Sequence, residues 1–316
     1  MGSEFSGNAY TTDWGTRIIS EFNPNYNAGA YHAGMVWPLF TGWVSLAEYS
    51  TGCYTSGFLH LMQNINIYHD WALGSIEETL NGKAYKPNGV CALQCWSETM
   101  ILQAAIEGML GLQTDAMHNN MTIAPRFPWD WNKVQVSNIR MNQTLVDLKI
   151  EKSVQETSFL LTNKGKPVKF SFNPAFPLFT EIQSVELNGK SVQHMIIHQS
   201  EGIILAVNDF ELNEGVNKIV VKHQGGKAIL SPVIQAVPGQ ENTGVKVISQ
   251  QTDGQRLRVI LNGKPDKSYL IHYYSVDPIK IILGGRIIRR EDSVTTIDVV
   301  MPPSKEKYVD TELIIK

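Results

Sequence analysis

Residues Gly74–Leu112, GSIEETLNGKAYKPNGVCALQCWSETMILQAAIEGMLGL, set two adjacent carboxylates in front of a helix start. Glu77 and Glu78 precede a stretch rich in Gly, Pro and Asn that cannot be helical throughout. The chain then enters a helix around Trp96-Ser97. Ser97 is a favourable N-cap, and Glu98 suits the positive end of the helix dipole. Met100, Ile101, Ala104, Ala105 and Met109 supply an apolar face, and the spacing predicts a helix ending near Gly111. A carboxylate on a loop beside an aromatic helix start is a place for acid/base chemistry, and equally a surface loop.

Outward from this stretch the chain divides by composition. All seven tryptophans and all three cysteines lie before Lys133. Two more helices are predicted upstream: from about Met35 to Tyr49, with Pro38 in its first turn, and from about Ser56 to Trp71. Downstream the apolar period changes to two, as in half-buried strands, from Val134 onward. Asn188-Gly189, Asp253-Gly254 and Asn262-Gly263 read as hairpin turns, and Gly225-Gly226 as the opening of a linker.

The expected organisation is therefore a leader over residues 1–5 (MGSEF, vector-derived in appearance), a helical unit over 6–126, a β-sandwich over 127–225 and a second small β-domain over 226–316.

The chain has 316 residues, 43% of them hydrophobic and 18% charged, with a net charge of -3. That balance gives no sign of a nucleic-acid or membrane-surface partner. No apolar run reaches the roughly 20 residues a membrane helix needs. Cys53, Cys91 and Cys95 form no disulfide framework. Cys91-x3-Cys95 lacks a second Cys or His pair, so neither a metal nor a cofactor is expected. No phosphate loop or nucleophile-triad order is present, and cytoplasmic and exported locations stay equally open.

Tyr31-His32-Ala33-Gly34-Met35-Val36-Trp37-Pro38 joins aromatic faces to hydrogen-bonding groups, the pairing that sugar rings and hydroxyls need. On spacing alone Trp37 could equally be core and His32 a local cap.

Asp13-Trp14-Gly15-x-Arg17, then Tyr26, Tyr31-His32-x-Gly34-x-Val36-Trp37-Pro38, Glu78-x3-Gly82 and Gln94-x-Trp96-Ser97 resemble successive motifs of the amylo-α-1,6-glucosidase (glycogen-debranching-like) glycoside hydrolases. The resemblance covers residues 10–125. It implies the last part of an (α/α)6 toroid, followed here by antiparallel β-sandwich domains. It implies inverting hydrolysis of α-glucosidic bonds, with Glu78 at the position of the general base and Glu77 as the fallback. Tyr31, His32, Trp37, Trp96, Asp13 and Trp14 match positions near an oligo- or polysaccharide. The family's general acid lies upstream of these motifs, so a C-terminal fragment carrying only the base, weak or inactive alone, is expected. Helix faces left without partners would then drive self-association. The alternative is a non-catalytic carbohydrate-binding or structural chain.

Overall fold

The structure, a computed structural model, describes residues 4–71 and 74–316. Met1, Gly2 and Ser3 of the expected leader lie outside the described residues, and Glu4–Ser6 form a single 3-10 turn. Three α-helices stand near their predicted places: α1 (Pro38–Thr51), α2 (Tyr54–Ile67) and α3 (Cys95–Gln103). Pro38 occupies the first turn of α1, where its missing N–H costs nothing, and Gly52 ends the helix with a φ of 80°. α3 is capped by the backbone of Gln94, not by Ser97, and beyond Gln103 the chain widens into a π-helical turn, Ala104–Met109.

These helices do not form part of an (α/α)6 toroid. The molecule is mostly β, 45% strand against 15% helix, with a nearly closed, barrel-like sheet. A toroid buries helices against helices, whereas here α2 is walled in by β structure. Thr55 donates its backbone N–H to Glu201 and its hydroxyl to the Ile229 carbonyl, while Ser56 reaches the Val247 carbonyl. Once strands satisfy the flanks of α2, no ring of further helices is needed to cover it.

In the barrel-like sheet the strands run Lys133–Met141, Thr144–Lys152, Glu156–Asn163, Gly215–Ile229, Ala175–Leu187, Gly202–Leu212, Val168–Phe172, Asn120–Ile123 and Leu112–Asp115. All neighbours are antiparallel except Asn120–Ile123 beside Val168–Phe172. Alternate residues fill the interior. Leu148, Phe159, Leu161, Phe170, Phe172, Leu205, Ile219 and Val221 form one core. A second core, of Val247, Val259, Leu261, Ile271, Ile297, Val299, Leu313 and Ile315, lies between a four-stranded sheet and the strands around Ser268–Ser275.

Gly225-Gly226 is not a linker. It lies inside the strand Gly215–Ile229, with φ values of 75° and 106°. Before the glycines this strand pairs with Glu156–Asn163, and after them with Ser268–Ser275. The pair is a kink that hands one strand from the first β layer to the next, so the two share one hydrogen-bonded network.

Asn188-Gly189 does make its hairpin turn, both residues at positive φ. Asn262-Gly263 does not: both residues sit in the strand Arg256–Gly263, paired with Val309 and Asp310.

Candidate functional site

The Tyr31 and Glu78 loops meet through a small ladder built from three distant segments. Val36 exchanges two 2.9 Å hydrogen bonds with Leu80 and also bridges to Arg17. Two glycines let the loops close. Gly34 has a φ of 147°, and a Cβ there would stand 2.6 Å from the Tyr26 ring. A Cβ on Gly82 would lie 2.0 Å from the Gly34 carbonyl oxygen. The buried Arg17 locks the arrangement by donating to the carbonyls of Gly82 and Asn8 at 2.8 and 2.7 Å. The motif glycines and arginine thus have a packing reason: they bring Tyr31 and Glu78 together across 47 residues of chain.

There the Tyr31 hydroxyl donates to Glu78 Oε1 at 2.5 Å. The carboxylate next to it pushes the Tyr31 phenol up to about 12, with burial adding to the effect, so the hydroxyl keeps its proton and remains a donor. Glu78 is itself buried, and its backbone N–H donates to the Cys91 carbonyl at 2.8 Å. Its second oxygen takes no hydrogen bond from the described residues. Glu77 is also buried, and loss of solvent raises its carboxyl pKa.

The aromatic residues form a continuous wall. The Tyr31 ring centre lies 4.6 Å from that of His32 and 4.5 Å from that of Trp37, and His32 stacks on Trp37 at 14°. Trp37 is largely covered, and its indole N–H is tied to the Tyr31 carbonyl at 3.1 Å, so it backs the wall while Tyr31 and His32 face outward. Phe40 and Trp43 extend the wall along α1. Helical spacing groups both with the apolar residues of the Met35–Tyr49 helix. Trp43 is 49% exposed, a distinction that helical spacing cannot make.

Other expected residues stand elsewhere. Trp96 is exposed at the first turn of α3, and its ring meets no other aromatic ring among the described residues. Asp13 and Trp14 are buried and hydrogen-bonded within the scaffold. Trp14 donates its indole N–H to the Asn81 carbonyl at 3.0 Å. Asp13 pairs with Lys246 at 2.6 Å and accepts the Thr243 and Gly244 N–H groups. Burial alone would raise the Asp13 carboxyl, but Lys246 and those N–H groups outweigh it and hold it below the usual range. A carboxylate held ionised in this way cannot serve as a general acid.

Sequence reading missed a polar chain in the helical layer. Glu48 meets His60 Nδ1 at 2.6 Å, and His60 Nε2 meets the Thr11 hydroxyl at 3.0 Å. All three side chains are buried, and they join α1, α2 and the N-terminal hairpin. Glu48 and His60 lie on two different helices, so no local spacing announces the pair. Among the described residues no group of three or more His, Cys, Asp or Glu side chains is arranged to hold a metal ion.

No protein-family model matches the chain, and no curated protein does. Among the solved structures that overlap it loosely are two glycoside hydrolases. One is a glycoside hydrolase, 11% identical, covering 88% of this chain and 48% of that one with a TM-score of 0.32. The other is a GH127 β-L-arabinofuranosidase from Geobacillus stearothermophilus T6, 9% identical, covering 98% of this chain and 52% of that one with a TM-score of 0.35. The chain spans about half the length of these structures. Scores of this size are too low to carry fold or activity across.

Proposed function

We propose that the loop around Glu78 is the base half of a glycoside hydrolase site acting on α-glucosidic bonds, of the debranching or glucoamylase kind. The observation that carries it is the 2.5 Å hydrogen bond from Tyr31 to Glu78 beside the Tyr31–His32–Trp37 wall. In an inverting reaction the base takes a proton from water while that water attacks the anomeric carbon, and an acid on the opposite face protonates the leaving oxygen. Tyr31 would fix the Glu78 carboxylate by one oxygen and leave the other free for the water. The aromatic wall would stack on sugar ring faces. Glu77 is the fallback base.

For this chain alone, hydrolysis of maltooligosaccharides or isomaltose is expected to be very weak or nil. Binding of maltooligosaccharides is expected, seen as shifts in NMR spectra and weakened about tenfold by Tyr31→Ala. Sugar binding indifferent to Tyr31→Ala would sink the site. Clear turnover abolished by Glu78→Gln would place the acid within the chain or on a neighbouring copy.

The alternative is a non-catalytic carbohydrate-binding or structural chain. Unchanged sugar binding in Glu78→Gln, with no turnover by any assembly containing the chain, would favour it.

A further inference from the structure

The barrel-like sheet holds a small pocket, lined by none of the Tyr31 or Glu78 loop residues, that the carbohydrate reading does not use. Its walls are apolar, with Phe127, Trp129, Phe159, Phe176 and Tyr274 among them. Polar side chains also line it: Lys152, Thr157, Thr180 and His223, together with Ser153, whose hydroxyl is engaged with the Glu156 backbone. The first four come from four different strands, so the fold, and no local motif, brings them together.

The hydrogen bonding there is incomplete in one direction. His223 is 7% exposed, and its Nε2 meets the Thr157 hydroxyl at 2.9 Å. The Thr157 hydroxyl makes no other hydrogen bond among the described residues, so it is satisfied as a donor when it gives its proton to Nε2. That tautomer puts the ring proton on Nδ1, and Nδ1 is buried without a partner in the protein. The Thr180 hydroxyl is buried and unpartnered as well. Lys152 Nζ has three protons to donate and meets one acceptor, the Pro128 carbonyl at 3.3 Å.

Two buried groups without a partner, the His223 Nδ1 and the Thr180 hydroxyl, thus line the same aromatic-walled space as the half-buried Lys152 ammonium. Unsatisfied buried donors are costly, and two beside an ammonium call for an acceptor. The nearest opposite charges, Asp130 toward Lys152 and Glu156 toward His223, act at a distance and form no ion pair with them. Without a counter-charge in contact, burial pulls the Lys152 ammonium down to about 8. Burial and the Lys152 charge together hold His223 below its ordinary value, in keeping with a neutral ring.

The cavity is about 40 Å³, room for an ion or a few waters and too small for a sugar ring. We propose that this pocket binds a small monovalent anion of chloride size, held by the Lys152 ammonium, the His223 Nδ1–H and the Thr180 hydroxyl. The anion would fasten the Phe127–Trp129 segment, which packs on Tyr54 of α2, to the β layers. It would therefore stabilise the junction of helices and sheet.

The test is thermal unfolding at neutral pH and constant ionic strength, titrating chloride, bromide, formate, acetate and sulfate. Wild type should show a saturable rise in Tm with chloride and bromide. A response to formate and acetate of equal size would extend the site to carboxylates. Sulfate, larger and doubly charged, should give no saturable rise. The halide response should vanish in Lys152→Met and persist in Lys149→Met, which alters an exposed strand position. Halide affinity should fall about tenfold near pH 9.5, where Lys152 has lost its charge. If Lys152→Met fails to fold, Thr180→Val carries the same comparison with a smaller expected loss. Equal responses to all salts, or an unchanged halide response in Lys152→Met and Thr180→Val, would overturn the proposal and leave water as the occupant.

Discussion

Tyr31 and Glu78 show how far single residues can be interpreted. The sequence marks each of them separately, and their hydrogen bond makes them a pair. A second carboxylate, Glu201, gives a sharper test of the structure at this scale. It is buried against Thr55, whose N–H it accepts at 2.7 Å, and loss of solvent raises its carboxyl to about 7. The unfolded chain ionises this group near its ordinary value of 4.5, well before the folded chain does. Between the two values the folded state therefore binds more protons than the unfolded state, and stability falls as pH rises. The expected outcome is a wild-type urea midpoint that drops from about pH 5 to pH 7, with the Glu201 share of the drop missing in Glu201→Gln. Identical pH profiles for the two proteins would show that Glu201 is not buried as described.

At the scale of elements, the glycines of the two loops decide the site. Gly82 packs against the Gly34 backbone so closely that any side chain must displace one loop. Gly82→Ala should cost about 1–3 kcal/mol in urea denaturation and loosen the Tyr31–Glu78 contact, seen as weaker sugar binding. Gly89→Ala is the control. Gly89 has a positive φ but open space around its Cβ position, so only the strain term should appear.

The π-helical turn after α3 has a related cause. Gly108 lies against the Tyr49 ring, where a Cβ would come within 2.7 Å, and its carbonyl accepts from Arg126. Helical spacing from Met100 to Met109 predicts a uniform helix, because the intrusion of Tyr49 from α1 is invisible to local periodicity. The N-cap shifted for a similar reason. Ser97 has the right chemistry, but it is the third residue of α3 and its side chain is buried.

At the scale of the whole molecule, the β layers cover α2 but leave part of the other helices open. Trp43, Leu102 and Ile106 are 49%, 61% and 43% exposed. Phe40, Trp43, Val44 and Ala47 of α1, with Ile18, line an apolar cavity of about 560 Å³. Exposed apolar area of this kind favours association. Light scattering is expected to show a dimer or larger species at high concentration, reduced by Trp43→Glu. A monodisperse monomer throughout would count against it.

How much of this was legible in the chain depends on the range of the interaction responsible. Helix positions, alternating strands and the Asn188-Gly189 turn follow from local backbone preference and from one-sided burial, so the sequence by itself determined them. It also singled out Tyr31, Trp37, Glu78 and the glycines beside them.

Only the tertiary structure decided what covers the helices, because apolar spacing says that a face is buried but not against what. The same blindness turned Gly225-Gly226 from an expected linker into a kink within a strand, since positive φ suits both. It hid the inward place of Asp13, whose charge is tolerable in the core only because Lys246 arrives from 233 residues away. It also hid the gathering of Lys152, Thr180 and His223, which share no local pattern and meet only when three strands curl into one sheet.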